Sequence, residues 1–201
     1  MTGADTTDLS VQVLTGEALD AALDDVARLR IEVFRDYPYL YDGDAAYERR
    51  YLSTYRDSPG TILVGAFDGA RLVGASTGTP LAGHDPAFAA PVVEAGYDID
   101  DVFYCAESVL LLPFRRRGVG HRFFDVREAH ARDLGLRYSA FCGVIRPDDH
   151  PARTETYFSL DGFWSRRGYA PIPGAVARFD WKEVGADHET SHELQFWIRA
   201  L

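Results

Sequence analysis

A single lysine, Lys182, accompanies twenty arginines in this 201-residue chain, and acids so outnumber bases that the formal net charge is −10. That balance excludes an extended basic face, and with it general nucleic-acid binding, while it favours encounter with cations. Cysteine is nearly absent. Cys105 and Cys142 lie in apolar stretches without zinc-ligand or redox spacing, which predicts inert core thiols, no disulfide framework and a reducing, cytoplasmic setting. The six histidines show no ligand spacing with one another or with cysteine, so no metal is expected. No run of about 18 apolar residues occurs, and the opening MTGADTTDLS has neither the basic nor the apolar region of an export signal, so no membrane association is expected. Internal repeats and flexible linkers are missing too. One domain over residues 1–201 is therefore expected, with 46% hydrophobic content to fill its core.

What is present is an alternation of strand and helix patterns. Residues 10–14 read as a first strand, and Thr15 then caps a helix whose Leu19, Leu23, Val26, Leu29 and Val33 form one apolar stripe. A segment rich in tyrosine and acid, 35–44, breaks that helix at Pro38 and Gly43, and a second helix covers about 44–56. Two β-rich runs, 61–67 and 71–77, flank Asp68-Gly69 and predict a hairpin with a two-residue turn there. Residues 80–100, with Pro80, Pro86 and Pro91, read as an insertion holding about one helical turn. A buried strand over 101–112, a helix over 118–134, a strand over 138–145, a short helix over 160–167 and strands at 175–184 and 194–201 complete the order. The last two strands are expected to be joined by a polar loop, 185–192. This is a mixed α/β pattern with a central sheet of six to seven strands and about four helices.

The joint between the 101–112 strand and the following helix reads Leu112-Pro113-Phe114-Arg115-Arg116-Arg117-Gly118-Val119-Gly120-His121-Arg122. Gly118 and Gly120 let a ligand approach the backbone, and the first N–H groups of a helix lack internal partners at the positive end of its dipole. A diphosphate suits that place, and Arg122 one turn further on is spaced to reach a more distal phosphate. A basic turn with no ligand would use the same residues. Neither the Gly-x-x-x-x-Gly-Lys-Ser/Thr loop nor the dinucleotide Gly-x-Gly-x-x-Gly is present.

The pattern Arg115-x-x-Gly118-x-Gly120, following a hydrophobic strand and opening a long helix, resembles the acyl-CoA pyrophosphate motif of the GNAT superfamily of N-acetyltransferases. Phe163-Trp164-Ser165-Arg166-Arg167-Gly168-Tyr169 also resembles that family's aromatic helix before its sixth strand, and the element order is similar from about residue 10 to 201. The resemblance implies a fourth and a fifth strand that splay apart to admit the pantetheine arm. It places the backbone of Ser108, Val109 and Leu110 along that arm and the amides of Arg115, Arg116, Arg117, Gly118, Val119, Gly120 and His121 at the pyrophosphate. The activity it implies is transfer of an acetyl group from acetyl-CoA to a primary amine, by direct attack through a tetrahedral intermediate. A non-catalytic acyl-CoA-binding or sensing module is the alternative.

Such chemistry needs a base for the amine and a proton for the departing thiolate. Glu107 is the one charged residue between Tyr104 and Leu112 and is the candidate base, with a buried structural carboxylate bonded to a neighbouring strand or to Arg137 as the other reading. Many relatives carry an acidic tyrosine where this chain has Trp164, whose indole only donates hydrogen bonds. Tyr104, Tyr157 and Tyr169 are then the candidates for the acid, with bulk water as a further source. Tyr37, Tyr39, Tyr41 and Asp42, with Asp44 beside them, are candidates for holding a small-molecule amine or a peptide acceptor, since aromatic faces and carboxylates together suit a cation. The 80–100 insertion and the 146–157 loop are expected as further walls, and either also suits a homodimer interface.

Overall fold

The computed structural model describes residues 9–201, the side chains of Thr54 and Asp57 excepted. Strand β1, Ser10–Leu14, leads into helix α1, Gly16–Phe34, which turns Val26, Leu29 and Phe34 inward together with one charged residue, Arg30. Helix α2, Ala45–Asp57, is capped by the Asp44 carboxylate, which accepts the Tyr47 N–H at 2.8 Å. Strands β2, Ile62–Asp68, and β3, Arg71–Pro80, form the expected hairpin. Its turn falls one residue later than the sequence suggests, on Gly69 and Ala70, because Asp68 still pairs with Arg71.

The insertion is more ordered than expected. After a short 3-10 turn at Leu81–Gly83, residues Pro86–Glu94 form a nine-residue helix, α3, capped by Asp85 and burying Phe88, Ala89 and Val92. Pro86 sits in its first turn, where a missing N–H costs nothing, so a residue read as a breaker starts a helix instead. Strand β4, Val102–Leu110, a 3-10 turn at Leu112–Phe114 and helix α4, Val119–Asp133, follow. Strand β5, Tyr138–Val144, and helix α5, Asp161–Arg166, precede two long strands, β6 over Ala170–Lys182 and β7 over Glu189–Ala200. Both begin about five residues before the sequence reading places them. Their outer parts are solvated, so they lack the apolar alternation that marks a strand in sequence.

The seven strands form one sheet in the order β1-β2-β3-β4-β5-β7-β6. Only β4 and β5 run parallel as neighbours, and they pair over Val102–Tyr104 against Tyr138–Ala140 before separating. Beyond that point β4 stays paired to β3 and β5 to β7. The expected splay between the fourth and fifth strands is therefore present.

A bulge interrupts the pairing of β4 with β3. Thr77 faces Glu107 and Thr79 faces Tyr104, so Cys105 and Ala106 together oppose Gly78. The extra residue puts Tyr104 and Glu107 on one face of the sheet. Glu107 meets Arg30 of α1 whereas its neighbour Ser108 meets Arg127 of α4, so α1 and α4 cover opposite faces. Helix α3 lies on the α1 side, because Phe88 packs against Tyr104 at 5.1 Å between ring centroids.

Gly78 leaves no room for a side chain: a Cβ there would stand 2.4 Å from the Phe103 ring. Gly78→Val is expected to lower unfolding free energy by about 1–3 kcal/mol in a denaturant titration. Gly83→Ala, with nothing within 4 Å of its Cβ position, serves as the control and stays within about 0.5 kcal/mol of the parent.

Candidate active site

The opening between β4 and β5 runs into the glycine turn. Gly118 is the residue before α4 and adopts φ 78°, a left-handed backbone that a β-carbon would strain. The first hydrogen bond into the helix comes from the Arg122 N–H to the Gly118 carbonyl at 3.2 Å, which leaves the amides of Val119, Gly120 and His121 without partners inside the helix. Phe163 floors the turn, 3.5 Å from where a Gly120 Cβ would stand. Arg115, Arg116, Arg117 and Gly118 are all exposed. Arg115 Nε donates to the Leu110 carbonyl at 3.0 Å, Arg116 lies over the exposed Phe158 ring at 5.0 Å and Arg117 over Phe114 at 5.5 Å. These open amides, with positive charge beside them, fit an anionic diphosphate. Arg122 does not contribute: its guanidinium donates to the Leu9 carbonyl at 2.5 Å and ties α4 to the start of the first strand.

The bulge in β4 is braced from below. Arg127 of α4, only 1% exposed, donates to the carbonyls of Thr77 and Glu107, both at 3.1 Å, and to Ser108 Oγ at 3.0 Å. Ser108 thus spends its side chain on Arg127, and what it, the fully buried Val109 and the half-buried Leu110 present to the wedge is backbone.

Above the sheet the Glu107 carboxylate sits in a charge cluster, its side chain 7% exposed. Oε2 pairs with the Arg30 guanidinium at 2.6 Å and accepts the Tyr51 hydroxyl at 3.1 Å, while Oε1 is buried without a partner. Arg30 also pairs with Glu48, which is completely buried, and lies over the Tyr51 ring at 4.5 Å. Tyr55 completes the group, its hydroxyl 2.8 Å from that of Tyr51. Arg137, the partner that the sequence suggested for a structural Glu107, is bonded instead to Asp101 at 2.9 Å. Two carboxylates thus share one guanidinium. Burial pushes the hydroxyls of Tyr51 and Tyr55 well up, so both stay protonated donors at neutral pH.

The remaining predicted residues divide. Tyr104 packs on the Glu107 side of β4 and is buried, which pushes its hydroxyl up. Burial likewise pushes up both thiols, Cys105 and Cys142, which counts against a covalent acyl-cysteine route. Burial raises the Tyr39 hydroxyl, and the Glu107 carboxylate adds to that shift while the Arg30 guanidinium opposes it. Tyr41 bonds Glu48. Tyr37 and Tyr157 stack edge to face at 4.7 Å and join the 35–44 segment to the 146–157 loop as an outer wall. Asp42 is not free to bind a cation, because Lys182 at 3.1 Å and Arg35 at 3.4 Å already hold it. Tyr169 lies on the α4 face, donating to Glu128 at 3.0 Å with its oxygen 2.7 Å from the Ser139 hydroxyl, so it is remote from Glu107. His121 is bound to Arg167 at 3.2 Å. Trp164 packs between Phe141 and Trp197, at 4.8 and 5.2 Å, and fills an aromatic core.

Sequence reasoning missed Arg30, Glu48, Tyr51 and Tyr55. The signal was present: Arg30 stands four residues after Val26 on the apolar stripe of α1, and Glu48, Tyr51, Leu52 and Tyr55 repeat at three- and four-residue spacing on α2. A charge on each of two facing stripes announces a buried ion pair.

By sequence, no family model and no curated protein matches the chain. By structure, it is similar to an acetyltransferase of the GNAT family from Streptococcus pneumoniae, with TM-score 0.61 and 12% identity, over 96% of this chain and 100% of the other. A ribosomal-protein-alanine N-acetyltransferase from Brucella melitensis superposes with TM-score 0.63 at 11% identity, covering 96% and 99% of the two chains. A Salmonella typhimurium protein solved with its cofactor acetyl-CoA gives 0.60 at 10% identity, covering 96% and 94%. The chain has the GNAT acyl-CoA N-acyltransferase fold.

Removing Arg30 strands two buried carboxylates. Arg30→Met is expected to cost about 3–5 kcal/mol of unfolding free energy by denaturant titration. The triple variant Arg30→Met, Glu48→Gln, Glu107→Gln recovers most of that loss if repulsion and desolvation are its cause.

Proposed function

We propose that the protein transfers an acetyl group from acetyl-CoA to a primary amine by direct attack. The observation that carries this reading is the alignment of a strand wedge, open beyond Tyr104 and Ala140, with the glycine turn at one end and an unpartnered buried carboxylate oxygen on its flank. Bound acetyl-CoA supplies the activated acyl group. The amides from Arg117 to His121 hold its pyrophosphate, with the guanidinium groups of Arg115, Arg116 and Arg117 close by. Backbone groups of Ser108, Val109 and Leu110 take the pantetheine arm and orient the thioester carbonyl.

Glu107 receives the amine. Its Oε1 accepts a proton from the incoming ammonium group, while Arg30 and Tyr51 fix the other oxygen and with it the orientation of the carboxylate. Tyr104, protonated at working pH and three residues before Glu107 on the same face, donates a hydrogen bond toward the developing thiolate, and Tyr157 closes the outer wall. The cluster carries two carboxylates and one guanidinium, which favours a cationic acceptor.

Calorimetry with CoA tests the cradle, and thiol release from acetyl-CoA with a panel comprising a polyamine, an aminoglycoside, amino acids and a peptide with a free N-terminus tests the chemistry. Gly120→Leu is expected to weaken CoA binding by about tenfold or more with little change in thermal midpoint. Glu107→Gln is expected to lower amine-dependent thiol release by about 10²–10⁴ with CoA affinity retained. Absence of CoA binding at millimolar ligand overturns the reading. Binding without turnover for any amine favours an acyl-CoA-binding module instead.

A further inference from the structure

Amide formation from an ammonium ion and a thioester releases one proton per turnover, since the thiol keeps only one of the two that the nitrogen loses. That proton starts in a closed place. Glu107 is 7% exposed, and its second oxygen is held by Arg30 and Tyr51, so the carboxylate does not reach water itself. Besides Glu107 Oε1, the buried polar atoms without a hydrogen-bond partner among the described residues include His84 Nε2.

His84 enters from the insertion, directly after the 3-10 turn that follows β3. Its ring stands edge-on to Tyr104 at 4.9 Å and tilted on Phe88 at 5.2 Å, on the face of β4 that carries Glu107. Other histidines of the fold use their ring nitrogens: His130 meets the Gly60 carbonyl at 2.9 Å, His192 the Thr190 hydroxyl at 3.0 Å, and His150 accepts the Ala152 N–H at 3.2 Å. A histidine kept only for packing has no reason to bury a bare nitrogen, which costs about 1–3 kcal/mol. The residue as a whole is half-buried, on the insertion rather than in the sheet interior.

We propose that His84 takes the acceptor's proton from Glu107 and releases it to solvent. The proposal rests on the acetyl-transfer reading above. The ammonium N–H bond breaks as a Glu107 O–H bond forms; that proton then moves to the neutral imidazole, restoring the carboxylate, and the imidazolium loses it to water. Burial holds the imidazole below the ordinary histidine range, opposed by the Glu107 carboxylate, so at neutral pH the ring is uncharged and able to accept. Tyr104 faces the ring from β4 with a neutral hydroxyl, Phe88 faces it from α3 without charge, and the adjacent Asp85 carboxylate is exposed and bonded to the Ala87 N–H. Turnover therefore falls as pH drops through the His84 transition, because an imidazolium has no site for the proton.

Two measurements test the relay. In the ligand-free protein, the His84 ring proton titration by NMR is expected to shift to lower pH in Glu107→Gln, since that change removes the charge favouring imidazolium. An unmoved midpoint overturns the coupling. In thiol release with the panel amine that the parent acetylates fastest, His84→Gln is expected to lower kcat by about 10²-fold, to lose the acidic limb of the pH profile and to keep CoA affinity. His84→Ala is expected to recover activity on addition of imidazole. An active parent with an unaffected His84→Gln, or a loss that imidazole does not restore and that leaves the pH profile unchanged, overturns the relay alone. A parent that acetylates no amine contradicts the reading beneath it.

Discussion

Three residues of parallel pairing between β4 and β5 set the geometry of the whole site. A sheet interior normally satisfies every backbone N–H and C=O across the ladder. Here β4 remains tied to β3 and β5 to β7 while their facing edges part, so the fold itself leaves polar backbone aimed into a cleft. The bulge opposite Gly78 then re-aims β4 so that Glu107 faces α1 and Ser108 faces α4. Arg127 braces the bulge from the far side by donating to the carbonyls of Thr77 and Glu107.

Electrostatics is local in this molecule. A chain of net charge −10 concentrates three arginines at the turn before α4 and buries a fourth, Arg30, between two carboxylates. The first arrangement faces solvent and suits an anionic phosphate. The second is enclosed, and such pairs contribute little net stability because desolvation offsets their attraction. What Arg30 supplies is orientation: it pairs with one oxygen of Glu107 and leaves the other without a partner. The insertion between β3 and β4 packs on the same face of the sheet, where its His84 and Phe88 meet Tyr104 of β4.

Features encoded by short-range pattern were legible in the sequence. The β2–β3 hairpin follows from two β-rich runs around a glycine turn, and the open turn before α4 follows from glycine and arginine between a buried strand and a helix. Features that depend on what crosses above the sheet were not. Asp42 reads as a free carboxylate until Lys182, 140 residues away in sequence, is seen beside it. Arg122 reads as a phosphate ligand until the first strand passes over it. Arg30 was not singled out although it lies on the stripe of α1, and α3 was hidden by Pro86, which starts the helix, and Pro91, which lies inside it. Glu107 was legible as an isolated buried charge, whereas its partners were not, since α1 and α2 bring them in from other parts of the chain.

The central claim is that the parted strands and the glycine turn together hold one acyl-CoA. Hydrogen–deuterium exchange with and without CoA tests it most directly, because the amides concerned are named. The account predicts protection on CoA addition concentrated in residues 106–110 and 117–121. Unchanged exchange in both segments at saturating CoA, or protection confined to another face of the sheet, would contradict it.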